Sequence, residues 1–252
     1  MPPRTLLLVP PSEGKAAGGT GPPWGLLPTG FPALMPARAQ VLAAVAGTVR
    51  PSAAAAALTA AADGAPTLPA LDRYTGVLYA ALGVASLPRP LRRRADARVC
   101  VMSGLAGLLL GGDPVPDYKL PIGTPLPGLG GLGGLAAWWR PRLSPVLDEW
   151  VAGAVVWDLL PGAHAAAWLP GGSWRARWRV RVLREAASGA RSTVSHDNKT
   201  AKGALARWVL DRSPRRPVDL VEWEGPGGYR VDLASSVYDA RGGVVDLVRR
   251  DL

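Results

Sequence analysis

Lysine and tyrosine side chains stand beside glycine and proline where apolar runs of this sequence end. Lys15 closes a loop at residues 10–15, directly after the first apolar run, and Tyr118 and Lys119 follow the Gly/Pro-rich residues 111–116. Glycine and proline set backbone conformations that other residues resist, so we expect these side chains to be held in place. A desolvated lysine near other cations can act as a base or nucleophile, and a tyrosine can transfer a proton. Lys15, Tyr118 and Lys119 are the candidate catalytic residues of an enzyme.

Lysine is rare in this chain, and its positions are informative for that reason. Of 29 basic residues only four are lysines, namely Lys15, Lys119, Lys199 and Lys202. An ammonium group is a compact charge with a tunable pKa, whereas arginine, the ordinary base here, keeps its proton. Lys199 and Lys202 open a helix predicted at residues 204–210, where free backbone amides attract anions. We expect both lysines to bind an anion.

The loop at residues 10–15 has the composition of a corner that binds an anion or a substrate. Ser12 offers a hydroxyl and Lys15 an ammonium, while Gly14 allows a close approach of the backbone. It is not a Walker A loop, because no glycine lies five residues before Gly14 and no Ser or Thr follows Lys15. An ordinary polar loop is the alternative interpretation.

Two further polar positions lie near glycines. Tyr74 precedes the Thr75–Gly76 pair, where its phenol could point into a cleft or pack in the core. Ser103 and Gly104 end a short strand predicted at residues 97–103.

Positive charge dominates the composition, with a formal net charge of +10. Such a balance suits nucleic acid, nucleotides or other anions, and it also favours plain solubility. Residues 173–185 alternate apolar side chains with Arg175, Arg177, Arg179 and Arg181, which predicts a half-exposed strand. The arginine row could follow a phosphate backbone, or it could protect the edge of a sheet.

Other kinds of site are disfavoured by what the sequence lacks. Cys100 is the single cysteine, which excludes an internal disulfide and a cysteine zinc cluster, and its apolar surroundings indicate a buried thiol. With two histidines in the chain, a histidine-based metal site is not expected. We interpret His164 as a hydrogen-bonded structural group. We therefore expect no metal ion and no cofactor.

Location is constrained by two further observations. No apolar stretch reaches the roughly 18 residues that span a bilayer. The N-terminus has a short apolar run without a signal-peptide cleavage pattern. We expect a soluble, cytoplasmic, monomeric protein that does not bind membranes.

Hydrophobic periodicity predicts both strands and helices along the chain. Strands are predicted at residues 5–9, 97–103, 155–160, 173–185, 220–223, 229–233 and 244–249. Helices are predicted at residues 36–49, 52–62, 135–155 and 204–210, with a solvated helical face at 88–94.

Several segments, taken together and in order, resemble the YaaA family, also called the peroxide stress protein, DUF328 or UPF0246 family. They are PPSEGK, RYTGVLYAAL, VMSGLAGLL followed by PVPDYKLPIG, LAAWWRP and SHDNKTAKGALARWVL, and they extend over residues 5–211. The resemblance implies an intracellular α+β protein with one domain over residues 1–252. Its fold would be a mixed sheet with surrounding helices, described as cantaloupe-like, with a helix-hairpin-helix-like element at the Gly-rich residues 124–134.

The resemblance also implies a positively charged cleft, DNA binding and protection against hydrogen peroxide. The matching motifs place ligand-binding residues at Ser12, Tyr74, Thr75, Ser103, Gly104, Lys199 and Lys202, beside Lys15, Tyr118 and Lys119. The chain departs from the family pattern at Ala106, where many relatives have Tyr, and at Gly111, in the usual Arg-Pro region. These departures are compatible with a specialised member of the family.

Two functions remain open on the sequence. A DNA-binding protein of the peroxide stress response accounts for the net charge, the arginine row and the Gly-rich hairpin. An enzyme acting on a small anionic or nucleotide-like substrate accounts better for lysines and tyrosines kept at motif positions in an arginine-rich chain. Iron chelation ranks third, because neither a His–carboxylate cluster nor a cysteine set is visible.

Overall fold

A computed structural model describes residues 3–24, 29–46, 64–129 and 131–251, and within them it has the predicted α+β architecture around a mixed nine-stranded sheet. The strands are β1 (Thr5–Val9), β2 (Leu68–Pro69), β3 (Val99–Ser103), β4 (Gly107–Leu110), β5 (Pro114–Val115), β6 (Val155–Asp158), β7 (Ala176–Glu185), β8 (Arg191–Ser192), β9 (Glu224–Gly225), β10 (Tyr229–Tyr238) and β11 (Gly242–Arg250).

Strand order in the sheet is β4-β3-β1-β6-β7-β11-β10-β9, with β8 paired to β7. The central strands β3, β1, β6, β7 and β11 run parallel, and β4, β8, β10 and β9 are antiparallel to their neighbours. β2 and β5 form a separate two-stranded ribbon. Parallel strands end at one edge of the sheet, so the loops after β1, β3 and β6 are brought together.

Seven α-helices surround the sheet in the part of the chain that the structure describes. They are α1 (Met35–Ala46), α2 (Ala70–Arg73), α3 (Val77–Leu82), α4 (Arg89–Arg98), α5 (Gly134–Trp150), α6 (Gly162–Ala165) and α7 (Ser195–Arg212). Short 3-10 helices lie at Pro32–Leu34, Val84–Ser86, Gly131–Gly133, Pro217–Leu220 and Pro226–Gly228. None of the helices described is long and apolar enough to cross a membrane.

The core follows from the apolar runs of the central strands. Every residue of β1 is buried, as expected of a parallel strand covered on both faces. Trp139, Trp157 and Trp178 are among the largest fully buried side chains and fill the space between sheet and helices. The thiol of Cys100 lies in this core, and burial raises its pKa.

Close helix packing sets the position of the predicted lysine helix. α7 packs against α3 at Gly203, where an added Cβ would lie 2.1 Å from the carbonyl oxygen of Leu78. Only a glycine allows the two backbones to approach so closely. The helix begins at Ser195, earlier than the predicted residue 204, so Lys199 lies one turn inside it.

The arginine row lies within the sheet, so the edge-strand interpretation is wrong. β7 pairs with β6 on one side and with β11 along its whole length on the other. Arg177 donates to the buried carboxylate of Asp158 at 3.0 Å, and Arg181 donates to that of Asp246 at 2.8 and 2.7 Å. Two of the four arginines are therefore paired with carboxylates of the neighbouring strands.

A helix-hairpin-helix element is not confirmed at residues 124–134. A tight turn does bring Leu126 and Leu129 together, and α5 follows it. No helix precedes the turn, since the described residues 104–125 contain strands, turns and irregular chain only. The motif therefore lacks its first helix.

Most other predicted elements are confirmed with shifted ends. A strand predicted at residues 220–223 is wrong, because Pro217 starts a 3-10 helix whose N-terminus is held by the Asp219 carboxylate. The helix predicted at 52–62 lies outside the described residues.

Candidate functional site

A cleft of about 520 Å³ opens at the carboxyl edge of the parallel strands. We call it the lysine cleft; it is lined by residues 10–15, 76–79 and 118–123, with Pro161, Ala163, His164 and Lys199. β1 lies between β3 and β6, so the chain leaves β1 toward one side of the sheet and later returns on the other. Ligand sites of open parallel sheets are found beyond the strand ends at such a switch point.

Lys15 is held on the floor of the cleft by the backbone of its loop. It forms an isolated antiparallel bridge with Tyr74, and its Nζ atom donates to the carbonyl oxygen of Ser12 at 3.1 Å. The Nζ atom also lies 4.3 Å from the ring centroid of Tyr118. Burial is the main cause that lowers the pKa of Lys15 to about 8, while the carboxylates of Asp117 and Glu13 oppose it. An appreciable share of this lysine is therefore an uncharged amine near neutral pH.

Arg73 positions the Lys15 loop, a role that sequence reasoning missed. Its side chain is fully buried, and the guanidinium donates to the carbonyl oxygens of Val115 at 3.1 Å and Gly18 at 2.8 Å, and also to that of Ala16. Its charge also lowers the pKa of Lys15. The only signal in the sequence was an arginine ahead of a tyrosine in a mostly apolar stretch.

Three buried hydroxyls form a chain behind the cleft. The Tyr118 hydroxyl lies 2.7 Å from the Tyr74 hydroxyl and 2.7 Å from Ser103 Oγ. Ser103 Oγ accepts the backbone N–H groups of Leu105 and Ala106, each at 3.2 Å. Burial raises the pKa of both tyrosines, so the phenols stay protonated. Tyr74 thus packs in the core, and Tyr118 alone of the three lines the cleft.

Glycines let the segments of the site approach one another. An added Cβ at Gly76 would lie 2.2 Å from Ser12 Oγ, and one at Gly104 would lie 2.4 Å from the Leu120 carbonyl oxygen. The Gly104 carbonyl in turn accepts the indole N–H of Trp139 at 2.8 Å. Thr75 is exposed and donates its backbone N–H to Gly14, outside the cleft lining.

The predicted lysines of α7 do not act together. Lys199 is exposed and lines the cleft with Lys119. Lys202 is only 8% exposed, and its Nζ atom donates to the backbone oxygen of Leu159 at 3.0 Å, behind the wall of the cleft. Burial lowers the pKa of Lys202. Because helix α7 begins at Ser195, both lysines follow its first turn in the sequence.

His164 also lines the cleft, although the sequence suggested a hydrogen-bonded structural role. Its Nδ1 atom is shut off from solvent and has no hydrogen-bond partner among the described residues. Burial lowers the pKa of His164 to about 4. One signal could have indicated its place, since it follows β6 and strand ends of a parallel sheet face a common edge.

The site is therefore a cleft whose lining combines lysine side chains with apolar residues. Ser12, Lys15, Tyr118, Lys119 and Lys199 line it; Tyr74, Ser103, Gly104 and Thr75 support or flank it; Lys202 lies outside. In the described residues no group of three or more His, Cys, Asp or Glu side chains is placed to hold a metal ion.

A family model and the individual relatives of this chain indicate the same protein family. Residues 36–235 match the family model described as "Peroxide stress protein YaaA". A UPF0246 protein of Streptomyces coelicolor is 38% identical over 260 residues, covering 96% of this chain and 98% of the relative. A UPF0246 protein of Corynebacterium glutamicum (strain R) is 35% identical over 244 residues, covering 90% and 94%. The chain belongs to the YaaA (UPF0246) family.

Proposed function

We propose that this protein binds a small anionic, nucleotide-like molecule in the lysine cleft and acts on it enzymatically in the cytoplasm. The observation that carries the proposal is Lys15, whose pKa is lowered to about 8 inside a cleft lined by two further lysines. A lysine that is buried near other cations is a recognised base or nucleophile.

The size and the lining of the cleft support a small ligand with an apolar body and an anionic end. A volume of about 520 Å³ falls within the usual range for small-molecule sites. Pro10, Pro11, Leu120, Pro121 and Ile122 offer apolar surface to a planar or aliphatic body. The exposed ammonium groups of Lys119 and Lys199 would hold the anionic end.

The chemistry would divide among three side chains. Uncharged Lys15 would take a proton from the substrate and become an ammonium group. Tyr118 keeps its own proton and, tied to Ser103 and Tyr74, gives Lys15 a fixed neighbour. Lys119 would balance negative charge that develops on the substrate.

DNA binding in the peroxide stress response is the second candidate, favoured by the net charge of +10 and by the name of the matching family model. A duplex does not fit inside a cleft of about 520 Å³, so it would contact the exposed cations at its mouth. Affinity would then fall steeply with salt concentration.

Calorimetric titration separates these candidates. We expect inorganic phosphate and AMP to bind the parent protein, and a Lys119→Met/Lys199→Met variant to bind both at least tenfold more weakly. Arg212→Met is the matched control, because that side chain is 69% exposed at the far end of α7.

A fluorescent DNA duplex, titrated at several salt concentrations, completes the test. Strong, salt-dependent duplex binding without binding of phosphate or AMP would contradict the small-molecule proposal and favour the second candidate. Equal phosphate affinity in the parent and the double variant would also contradict it.

A further inference from the structure

His164 is a polar side chain of the lysine cleft to which the proposed function gives no role. It lies on α6, which follows β6 after a short connection, and it faces the same cleft as Lys15 and Lys199. Its backbone is fixed, since its N–H donates to the Pro161 oxygen at 3.0 Å and its oxygen accepts from Ala167 at 2.9 Å. The imidazole is thus presented to the cleft from a rigid turn.

The two ring nitrogens have different surroundings. Nδ1 is buried and has no partner within the described chain, whereas Nε2 is not among the buried unpartnered atoms. A buried N–H without an acceptor is rarer in proteins than a buried acceptor without a donor. The proton of the neutral ring is therefore placed on Nε2, because a proton on Nδ1 would be buried without an acceptor.

We propose that His164 donates its Nε2–H to an oxygen of the anionic ligand in the lysine cleft. The inference rests on the proposed function and names one more ligand-binding residue in the same site. The ligand class that it specifies has an acceptor oxygen, such as a phosphate, carboxylate or carbonyl, on the side of the cleft formed by α6.

The positive charge of the cleft favours a neutral imidazole, rather than an imidazolium, as the donor at His164. Lys15, Lys119 and Lys199 line the cleft, and Glu13 is the one carboxylate among the described residues that line it. An imidazolium would add a further positive charge next to these cations and would also bury a second N–H at Nδ1. Burial keeps the pKa of His164 at about 4, so the ring remains a neutral donor in neutral solution. A neutral imidazole with a lowered pKa can serve as the hydrogen-bond donor to a substrate oxygen.

Nitrogen-15 NMR of histidine tests the tautomer directly, because the chain contains just two histidines. We expect His164 to carry its proton on Nε2 in neutral solution, and we expect inorganic phosphate to shift that resonance. The exposed His196 supplies the internal control, and a His196→Gln variant assigns the two sets of signals. An Nδ1–H tautomer of His164 would overturn the inference.

Phosphate titration of two His164 variants tests the hydrogen bond. His164→Phe removes the donor, and we expect its Kd for phosphate to rise about tenfold, as for the loss of a hydrogen bond to a charged group. His164→Gln keeps an N–H near the Nε2 position and should stay within about threefold of the parent.

The outcomes distinguish this inference from the proposed function. If phosphate affinity depends on Lys119 and Lys199 but is equal in the parent and His164→Phe, the inference fails and the proposed function stands. If the parent protein does not bind phosphate, both fail. Equal losses in His164→Phe and His164→Gln would also contradict donation from Nε2.

Discussion

The ammonium nitrogen of Lys15 lies 4.3 Å from the ring centroid of Tyr118. The hydroxyl of the same tyrosine is hydrogen-bonded to two buried hydroxyls, those of Tyr74 and Ser103. The cation–π contact favours the charged form of Lys15, but burial and the nearby Arg73 favour the neutral amine. Lys15 has a pKa of about 8 because the effect of burial is larger than the effects that favour the charged form. Tyr118 thereby joins the cleft to the hydroxyl chain behind it.

The first prediction concerns the reactivity of Lys15 toward an acylating reagent. The reactive amine forms as pH rises through its pKa, so we expect the acetylation rate of Lys15 to rise with a midpoint at about 8. Asp117 raises the pKa of Lys15, so Asp117→Asn should move the midpoint to lower pH. Competitive acetylation followed by peptide mass spectrometry measures both midpoints.

Asp211→Asn is the control for that experiment, because Asp211 is exposed at the end of α7 and should leave the midpoint unchanged. A Lys15 midpoint near the ordinary lysine value of 10.5 would contradict the prediction.

The second prediction is that the buried hydroxyls stabilise the fold as a unit. Tyr118→Phe leaves the hydroxyls of Tyr74 and Ser103 without their shared partner, and we expect it to lower the free energy of unfolding by about 1–3 kcal/mol. Tyr74→Phe should add less in the Tyr118→Phe background than in the parent, with a coupling of at least about 0.5 kcal/mol. Urea denaturation of the four proteins measures this coupling.

Tyr238→Phe serves as the matched control, since Tyr238 is 39% exposed and should change stability by less than about 0.5 kcal/mol. Strictly additive losses for Tyr74→Phe and Tyr118→Phe would show that the two hydroxyls act independently.

Local pattern in the sequence predicted most of the sheet and several residues of the site. β1, β3 and β6 are short apolar runs that end in polar or glycine-containing loops, and β7 alternates apolar residues with arginines over residues 176–182. Ser12 and Lys15 were identified because they lie in the loop after β1, and Tyr118 because glycines and prolines precede it. The family motifs led to the same residues.

Other features depend on contacts between distant parts of the chain, which no local pattern encodes. Arg38 looks like an ordinary surface base on a helix, yet it is 2% exposed and donates to the backbone oxygens of Ala106 and Leu108. The partner strands of β7 and the burial of Lys202 likewise depend on pairing and packing. His164 was misjudged because burial without a hydrogen-bond partner cannot be read from a single residue.

The third prediction separates the two lysines of α7, which are three residues apart in the sequence but differ in burial. Lys199→Ala should weaken phosphate binding about two- to fivefold, as for one exposed charge, and leave stability within about 0.5 kcal/mol. Lys202→Ala should leave the Kd within about twofold and destabilise the fold by about 1–3 kcal/mol. It removes a buried stem and the donor to the Leu159 oxygen.

Calorimetry and urea denaturation of both lysine variants provide the two measurements. The opposite assignment, in which Lys202→Ala lowers affinity without a change in stability, would place Lys202 in the ligand site.

The fourth prediction uses two glycines that both line the lysine cleft but differ in the space around them. A Cβ at Gly76 would lie 2.2 Å from Ser12 Oγ and 3.1 Å from Ser12 Cβ, whereas a Cβ at Gly123 would meet no atom within 4 Å. Gly76→Ala should therefore displace the Ser12–Lys15 loop and weaken phosphate binding at least fivefold, while Gly123→Ala stays within about twofold.

A Ser12→Gly substitution relieves the clash at residue 76, so it tests the cause of the loss. We expect Ser12→Gly/Gly76→Ala to bind phosphate more tightly than Gly76→Ala alone, because both contacting atoms of Ser12 are gone. Calorimetric titration of the parent, the two single alanine variants and the double variant measures the effect. If Gly123→Ala weakens binding as much as Gly76→Ala, the loss does not come from the contact with Ser12, and the loop is not positioned by that glycine.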